Sequence, residues 1–167
     1  MTLLIHDLFP YEWALYEGLV PADTCVITPK ESGIQKCKGC LSCWYRTPGR
    51  CIQSDGFDEL PRLFGEASTL VFITEIVYGG FSPEVKTVLD RSLGYLLPTL
   101  AMRKEKLYRN ARFNFVPPLK ILAYGGTQIE QEHFKGMAAA LGKTLDLDNV
   151  QVSFAFSREE MNIGEVF

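Results

Sequence analysis

Short apolar runs alternate along the whole chain with segments of helical periodicity. Five of these runs have the length of a β-strand and cover residues 3–6, 24–28, 70–74, 120–124 and 150–156. The run at 70–74 is continuously apolar, which is typical of a strand buried on both faces. We therefore predict five strands.

Helical patterns fill the spaces between the predicted strands. A weak pattern covers residues 11–19, and Phe57, Leu60 and Phe64 recur at helical spacing. Ser82 and Pro83 are typical of a helix start, and the apolar stripe that follows extends to Leu96. A second helix begins at a capping box formed by Thr127 and Glu130, and its buried face consists of Phe134, Met137, Ala138, Leu141 and Leu145.

Strands that alternate with helices predict right-handed βαβ units and a parallel sheet. Five such strands favour an α/β doubly wound, three-layer sandwich. The length of 167 residues fits a single domain over 1–167. That domain contains a cysteine-rich insertion at about 30–56 and a basic connection at about 100–118. In this architecture ligands bind beyond the carboxyl ends of the strands.

Composition and charge exclude several classes of function. The chain is 47% apolar and 22% charged, as in globular proteins. A net charge of −3 gives no electrostatic support for binding nucleic acid. The chain lacks the ~18 consecutive apolar residues of a membrane span, and its first residues do not resemble a secretory signal. We therefore expect a cytoplasmic protein with no nucleic-acid or membrane partner.

Four of the five cysteines lie within fifteen residues. Cys37, Cys40, Cys43 and Cys51 have the spacing C-x2-C-x2-C-x7-C, whereas Cys25 lies alone in a predicted strand. In a reducing compartment such a cluster indicates metal binding or redox chemistry rather than disulfides. The four thiols suit an iron–sulfur cluster such as [4Fe-4S]. Bare thiols and zinc remain alternatives, although zinc sites more often pair two C-x2-C knuckles.

Two similar loops follow the third and fourth predicted strands. The first contains Tyr78-Gly79-Gly80 and the second Tyr124-Gly125-Gly126, and each precedes a helix. Paired glycines let the backbone approach a flat ligand closely. Because both loops follow parallel strands, we expect them at the same edge of the sheet. Glycine pairs are also common in ordinary turns, so the repetition is the informative feature.

The combined motifs resemble the flavodoxin-like NAD(P)H-dependent FMN reductases, and most closely their iron–sulfur flavoprotein branch. The cysteine segment 36–51, Asp55, the loop at 74–82 and the helix segment 86–91 carry the resemblance. It implies FMN as cofactor, NAD(P)H as a possible co-substrate and the four cysteines as cluster ligands. The cofactor-binding residues that it implies are Thr74, Ile76, Val77, Tyr78, Gly79, Gly80, Ser82, Tyr124, Gly125, Gly126 and Thr127.

The loop after the first strand departs from this family. Such proteins usually place hydroxyls and helix N–H groups there to bind the FMN phosphate. This chain has Asp-Leu-Phe-Pro-Tyr-Glu at 7–12, and its two carboxylates would repel a phosphate. Glu75 also stands where the family often has a proline. The phosphate site is therefore predicted to be degenerate.

Two hypotheses of function follow. The first is a flavin-linked oxidoreductase that passes electrons to a small molecule or protein; flavin chemistry needs no amino-acid acid or base, so no catalytic residue is predicted. The alternative is a flavodoxin-like module without FMN that acts as a binding or metal-holding subunit.

Two further features bear on partners. The basic connection holds Arg103, Lys104, Lys106, Arg109 and Arg112 against one acid, Glu105. It is either a solvated loop or a site for the 2′-phosphate of NADPH or an acidic partner. The chain after the last strand is short, so part of a sheet face is expected to be bare, and we expect a homo-oligomer that covers it.

Overall fold

A computed structural model describes residues 1–103 and 105–167 of the chain. The strands are Thr2–His6 (β1), Thr24–Ile27 (β2), Thr69–Val77 (β3), Gly80–Phe81 (β4), Leu96–Arg103 (β5), Lys106–Ala111 (β6), Pro118–Tyr124 (β7) and Asp148–Ala155 (β8). The α-helices are Pro10–Trp13 (α1), Pro29–Ser32 (α2), Ser42–Tyr45 (α3), Leu60–Glu66 (α4), Pro83–Arg91 (α5) and Gln128–Thr144 (α6). Short 3-10 turns cover Glu17–Leu19, Leu93–Tyr95 and Ile163–Val166.

The central sheet confirms the predicted fold class. Its strands are parallel in the order β2-β1-β3-β7-β8, and each corresponds to one of the five predicted runs. Counted along the sheet this is the 2-1-3-4-5 order of flavodoxin-like proteins. The sheet reverses its winding between β1 and β3, so the crevice beyond the ends of these strands is where ligands bind in this architecture.

Alternation along the strands divides the core between the two faces of the sheet. Leu3, Ile5 and Phe72 belong to the larger cluster, which also contains residues of α4, α5 and α6. Leu4 and Ile73 belong to the smaller cluster on the other face. Helical cover on that face is thin, because α1 has only four residues.

The C-terminal segment completes the cover of this second face. Met161, Ile163 and Val166 are buried in the smaller cluster, and Trp13 and Tyr16 pack against it from the segment after β1. The expected bare face is therefore covered within the chain. Homo-oligomer formation stays a prediction, but a bare sheet face no longer supports it.

The prediction of a helix reaching Leu96 is wrong, because α5 ends at Arg91. The chain then turns through Leu93–Tyr95. Tyr95 is fully buried there and stacks on Phe113 at 6.0 Å between ring centroids. Leu96 begins an antiparallel hairpin of β5 and β6, so the predicted irregular connection is largely a two-stranded sheet. No helix in the described part of the chain is both long and apolar enough to cross a membrane.

Candidate functional site

The four clustered cysteines line one cavity of about 70 Å³. Cys43 lies in α3, and the other three lie in the loops on either side of it. All four are free thiols. Trp44, Leu93 and Arg91 complete the wall, so α5 and the turn after it form the back of the site. The structure therefore brings together the four residues that the spacing selects.

A buried ion pair holds the cysteine segment against α5. The guanidinium of Arg91 donates to both carboxylate oxygens of Asp55, at 2.6 and 2.8 Å. These side chains are only 0% and 5% exposed. Arg91 also donates to the carbonyl of Gln35 at 2.8 Å, and Asp55 accepts from the Gln35 amide at 2.9 Å. One ion pair thus fixes both ends of the loop that carries the cysteines.

Local packing shapes the inside of the cysteine loop. Trp44 Nε1 donates to the carbonyl of Leu93 at 3.1 Å. Gly94 packs closely against α3, because a Cβ added to Gly94 would be 3.0 Å from the Cβ of Cys43. Leu41, between Cys40 and Cys43, has a left-handed φ of 57°. Such strain in a non-glycine residue clusters at functional sites.

The thiols differ in electrostatic environment. Burial raises the pKa of Cys43, and the thiols of Cys51, Cys37 and Cys40 raise it further. Hydrogen bonding from Ser42 lowers the pKa of Cys40. Four neighbouring thiolates would repel one another, so a bound cation or metal cluster would relieve the repulsion.

The four thiols are not gathered into a preformed metal-ligand set in this structure. Among residues 1–103 and 105–167, no group of three or more His, Cys, Asp or Glu side chains is arranged to hold one ion. The four thiols share the wall of one cavity.

The first Tyr-Gly-Gly loop is a tight hairpin between β3 and β4. Val77 pairs with Gly80, so Tyr78 and Gly79 form the two-residue turn, with φ of 50° and 74°. Two positive φ values are typical of a type I′ turn. The Tyr78 side chain is 97% exposed at the tip. An exposed aromatic ring on a strained backbone is a candidate for contact with a flat ligand.

The two loops lie side by side, as expected. Glu75 pairs with Tyr124 in neighbouring strands. An added Cβ on Gly126 would be 3.0 Å from Ile76, and one on Gly79 would be 3.2 Å from His133. Close packing within the protein therefore explains why these two positions carry no side chain. Gly125, with φ of 73°, has open space where a Cβ would lie.

The remaining predicted ring-binding residues divide by exposure. Thr74 and Ser82 are buried, and the Thr74 hydroxyl donates a hydrogen bond to the Ser82 hydroxyl at 3.4 Å. Ile76 and Tyr124 are also buried, whereas Val77 and Gly80 are half-buried. Thr127 is exposed and accepts from Glu130 N as the N-cap of α6. Thr74 and Ser82 therefore support the loop from behind.

Replacing Gly126 by alanine should lower the free energy of unfolding by about 1–3 kcal/mol, because its φ is +72° and the new methyl would press on Ile76. Chemical denaturation measures the change. Gly136→Ala is the matched control: it lies in α6 with no atom within 4 Å of the new methyl. That variant should gain about 0.5–1 kcal/mol, and equal losses in both would refute the explanation.

The loop after β1 has no free amide for a phosphate at its first three positions. Asp7 N donates to the Ile73 carbonyl at 3.3 Å, and Leu8 N donates to Nδ1 of His6 at 3.2 Å. Phe9 N donates to the Glu12 carboxylate at 2.7 Å. The next residue is Pro10, which has no N–H. This loop does not fit the phosphate of FMN.

His6 and Asp7 are buried polar groups beneath this loop. His6 stacks on Trp13 at 4.1 Å, and its Nε2 has no hydrogen-bond partner among the described residues. Asp7 accepts from the Tyr124 hydroxyl at 2.7 Å and from Glu75 N at 2.8 Å. Burial raises the pKa of Asp7, although these hydrogen bonds oppose the effect.

Stability should fall with acid because of His6. Burial lowers the pKa of His6 from 6.5 to about 4. The folded state thus favours the neutral ring. The contribution of this ring to the stability of the fold is complete above pH 6.5 and is lost as the pH falls towards 4. Up to about 3 kcal/mol should be lost in this window, as measured by denaturation at each pH. His6→Asn should remove most of this slope, and His133→Asn, on the exposed side of α6, should retain it. Equal slopes in wild type and His6→Asn would contradict the assignment.

Arg109 and Arg112 of the basic hairpin make internal contacts. Arg109 lies over the Trp44 ring at 4.5 Å and donates to the Pro98 carbonyl. Arg112 Nε donates to the Gly94 carbonyl at 3.1 Å. Lys104 of the predicted basic connection lies outside the described residues, as do the side chains of Arg103 and Lys106. Arg109 and Arg112 therefore give no support to a 2′-phosphate site.

Sequence reasoning missed one residue of the ligand crevice. Arg158 lies after the last strand and contacts both Glu12 and Glu75. An isolated arginine in a C-terminal segment carries no motif, so nothing in the pattern indicated it. Asp55 and Arg91, by contrast, belonged to the motifs that carried the family resemblance, although their pairing was not predicted.

Comparison with known proteins agrees with the topology. No family model matches the chain. An iron-sulfur flavoprotein of Archaeoglobus fulgidus is 36% identical over 62 residues, which are 37% of this chain and 27% of that protein. The chain thus matches only about a quarter of the relative's length.

Among solved structures, an FMN-dependent NADH-azoreductase from Bacillus anthracis, in complex with FMN, matches with a TM-score of 0.59 and 14% identity, over 99% of this chain and 91% of that one. An NAD(P)H:quinone oxidoreductase from Methanothermobacter marburgensis matches with a TM-score of 0.60 and 19% identity, over 92% and 85%. The chain therefore has the flavodoxin-like fold, which it shares with these two oxidoreductases.

Proposed function

We propose that this chain is an electron-transfer oxidoreductase of the flavin-linked class, and that its own redox centre is an iron–sulfur cluster held by Cys37, Cys40, Cys43 and Cys51. One observation carries the proposal: the four thiols are free of disulfides and line a single cavity. Four cysteine thiolates are the usual ligand set of a [4Fe-4S] cluster, which supplies one-electron transfer when bound.

The surroundings of the thiols fit such a group. Arg91 lies at the cavity wall, and its buried Nε has no hydrogen-bond partner in the described structure. A cation there offsets the negative charge of ligating thiolates. The amide of Gly39 donates to Cys37 Sγ at 3.5 Å. Proteins tune the reduction potential of a cluster by hydrogen bonds from backbone amides to sulfur and by nearby charges.

The site is also open to an electron acceptor. Cys37 and Cys40 are exposed, and the apolar side chains of Leu41 and Ile52 are about half exposed at the cavity rim. A small molecule or an apolar protein surface could approach there. NAD(P)H as the source of electrons remains a prediction.

A metal-holding or binding module that does not handle flavin is the second candidate. The closed loop after β1 favours it, because the amides of Asp7, Leu8 and Phe9 are occupied within the protein. The two candidates differ in whether the cysteine centre exchanges electrons with a flavin.

Electron transfer to flavin tests the proposal. Protein loaded with iron and sulfide is reduced without oxygen, freed of reductant and mixed with oxidised flavin. We expect the yellow absorbance of the flavin to bleach, since two reduced chains give one electron each and water supplies two protons. The Cys43→Ser variant, treated alike, should leave the flavin yellow. A flavin that stays oxidised with the loaded wild type would refute this function and favour the second candidate.

A further inference from the structure

A cluster of charged side chains lies at the crevice where β1 and β3 end. Arg158 Nη1 donates to Glu12 at 2.8 Å, and Arg158 Nη2 donates to Glu75 at 2.9 Å. We call Glu12, Glu75 and Arg158 the Arg158 clasp. It joins α1, the end of β3 and the segment after β8, which are far apart in sequence.

The clasp is tied to the core beneath it. The guanidinium of Arg158 lies 5.3 Å from the centre of the Tyr124 ring. The Tyr124 hydroxyl in turn donates to buried Asp7, as described above. Arg158 also receives a hydrogen bond at its backbone carbonyl from Tyr16, at 2.9 Å. Contacts from three directions thus hold the Arg158 segment in the crevice.

Charge in the crevice opposes a phosphate. Asp7, Glu12 and Glu75 surround it with carboxyl groups, whereas Arg158 is already paired with two of them. The nearby ammonium of Lys30 lies over the Phe9 ring at 3.8 Å. A dianionic phosphate would have to displace Glu12 in order to bind the Phe9 amide or Nη1 of Arg158.

We infer that this chain recognises flavins by the ring system alone, with no contact to the phosphate, so that riboflavin and FMN are equivalent, dissociable reactants. The inference rests on the proposed function for the reaction itself. The ring would meet the exposed Tyr78 and the open backbone at Gly125, which lie at the same edge of the sheet. Under this inference the chain does not hold FMN through its phosphate.

Parallel fluorescence titrations of the iron-loaded protein with riboflavin and with FMN test the inference. We expect dissociation constants within about threefold of each other, since the phosphate adds no contact. FMN binding at least about tenfold tighter than riboflavin, or one FMN per chain retained through gel filtration, would overturn it. Failure of both flavins to bind at millimolar concentration would overturn it too.

A variant that opens the Arg158 clasp provides a second test of the inference. Glu12→Ala frees the Phe9 amide and one side of Arg158, so FMN should become preferred over riboflavin by about fivefold or more. Glu17→Ala, an acid of the same segment with no contact to the clasp, is the matched control and should keep the two flavins equivalent. A Glu12→Ala variant that folds and still binds both equally would contradict the assigned role of Glu12. Iron content and bleaching of flavin report on the proposed function independently of this ratio.

Discussion

Replacing Asp55 by asparagine should lower the free energy of unfolding by about 3–5 kcal/mol. The substitution leaves the guanidinium of Arg91 without a counter-charge at a position where its side chain is 0% exposed. A buried, uncompensated charge is among the most destabilising defects in a protein. Denaturant titration followed by circular dichroism measures the loss.

Two comparisons isolate the effect of the buried charge. Glu66→Gln removes a surface partner of Arg62, where both side chains are about half exposed, and should cost at most about 0.5 kcal/mol. The double variant Asp55→Asn/Arg91→Met should recover much of the loss. If Asp55→Asn is no more harmful than Glu66→Gln, the ion pair does not anchor the cysteine loop.

Acid should weaken the same ion pair. The hydrogen bonds from Arg91 hold the pKa of Asp55 far below its ordinary value of 3.8. A carboxyl with a lowered pKa stabilises the fold above that ordinary value and loses its contribution as the pH falls further. The gap in stability between wild type and Asp55→Asn should therefore narrow below about pH 4.

Replacing Cys43 by serine should reduce bound iron from about four atoms per chain to less than about one. Cys43 is one of the two half-buried ligands of the proposed cluster, and the other three thiols act on it electrostatically. A hydroxyl is a far poorer ligand for iron than a thiolate. Iron is measured by a colorimetric or plasma-emission assay after anaerobic reconstitution.

Cys25 supplies the control for this experiment. It lies in β2 as a half-buried free thiol, away from the cavity lined by the other four. Cys25→Ser should bind as much iron as the wild type. Full iron in Cys43→Ser, or equal loss in both variants, would show that the cavity is not the iron site.

The sequence was sufficient to predict the central sheet, because its strands are short, apolar and separated by helical patterns. Both faces of β3 are buried, so its apolar run is unambiguous. The hairpin of β5 and β6 was missed because its residues mix charge with apolar side chains, and Leu96 matched the stripe of α5. Only tertiary packing, with Tyr95 drawn into the core, shows where that helix ends.

The candidate site was predictable where residues are close in sequence and unpredictable where they are not. The cysteine spacing indicated one centre, and the cavity that these residues line agrees with it. The acidic loop after β1 indicated a poor phosphate site. Arg158, which pairs with Glu12 of this segment, is 146 positions from it, and no local pattern links the two residues.

Iron and acid-labile sulfide in protein isolated without oxygen test the central claim most directly. The proposal predicts about four of each per chain, as in a [4Fe-4S] cluster with four cysteine ligands. Protein that contains zinc without sulfide, or that binds neither iron nor sulfide after reconstitution, would contradict it.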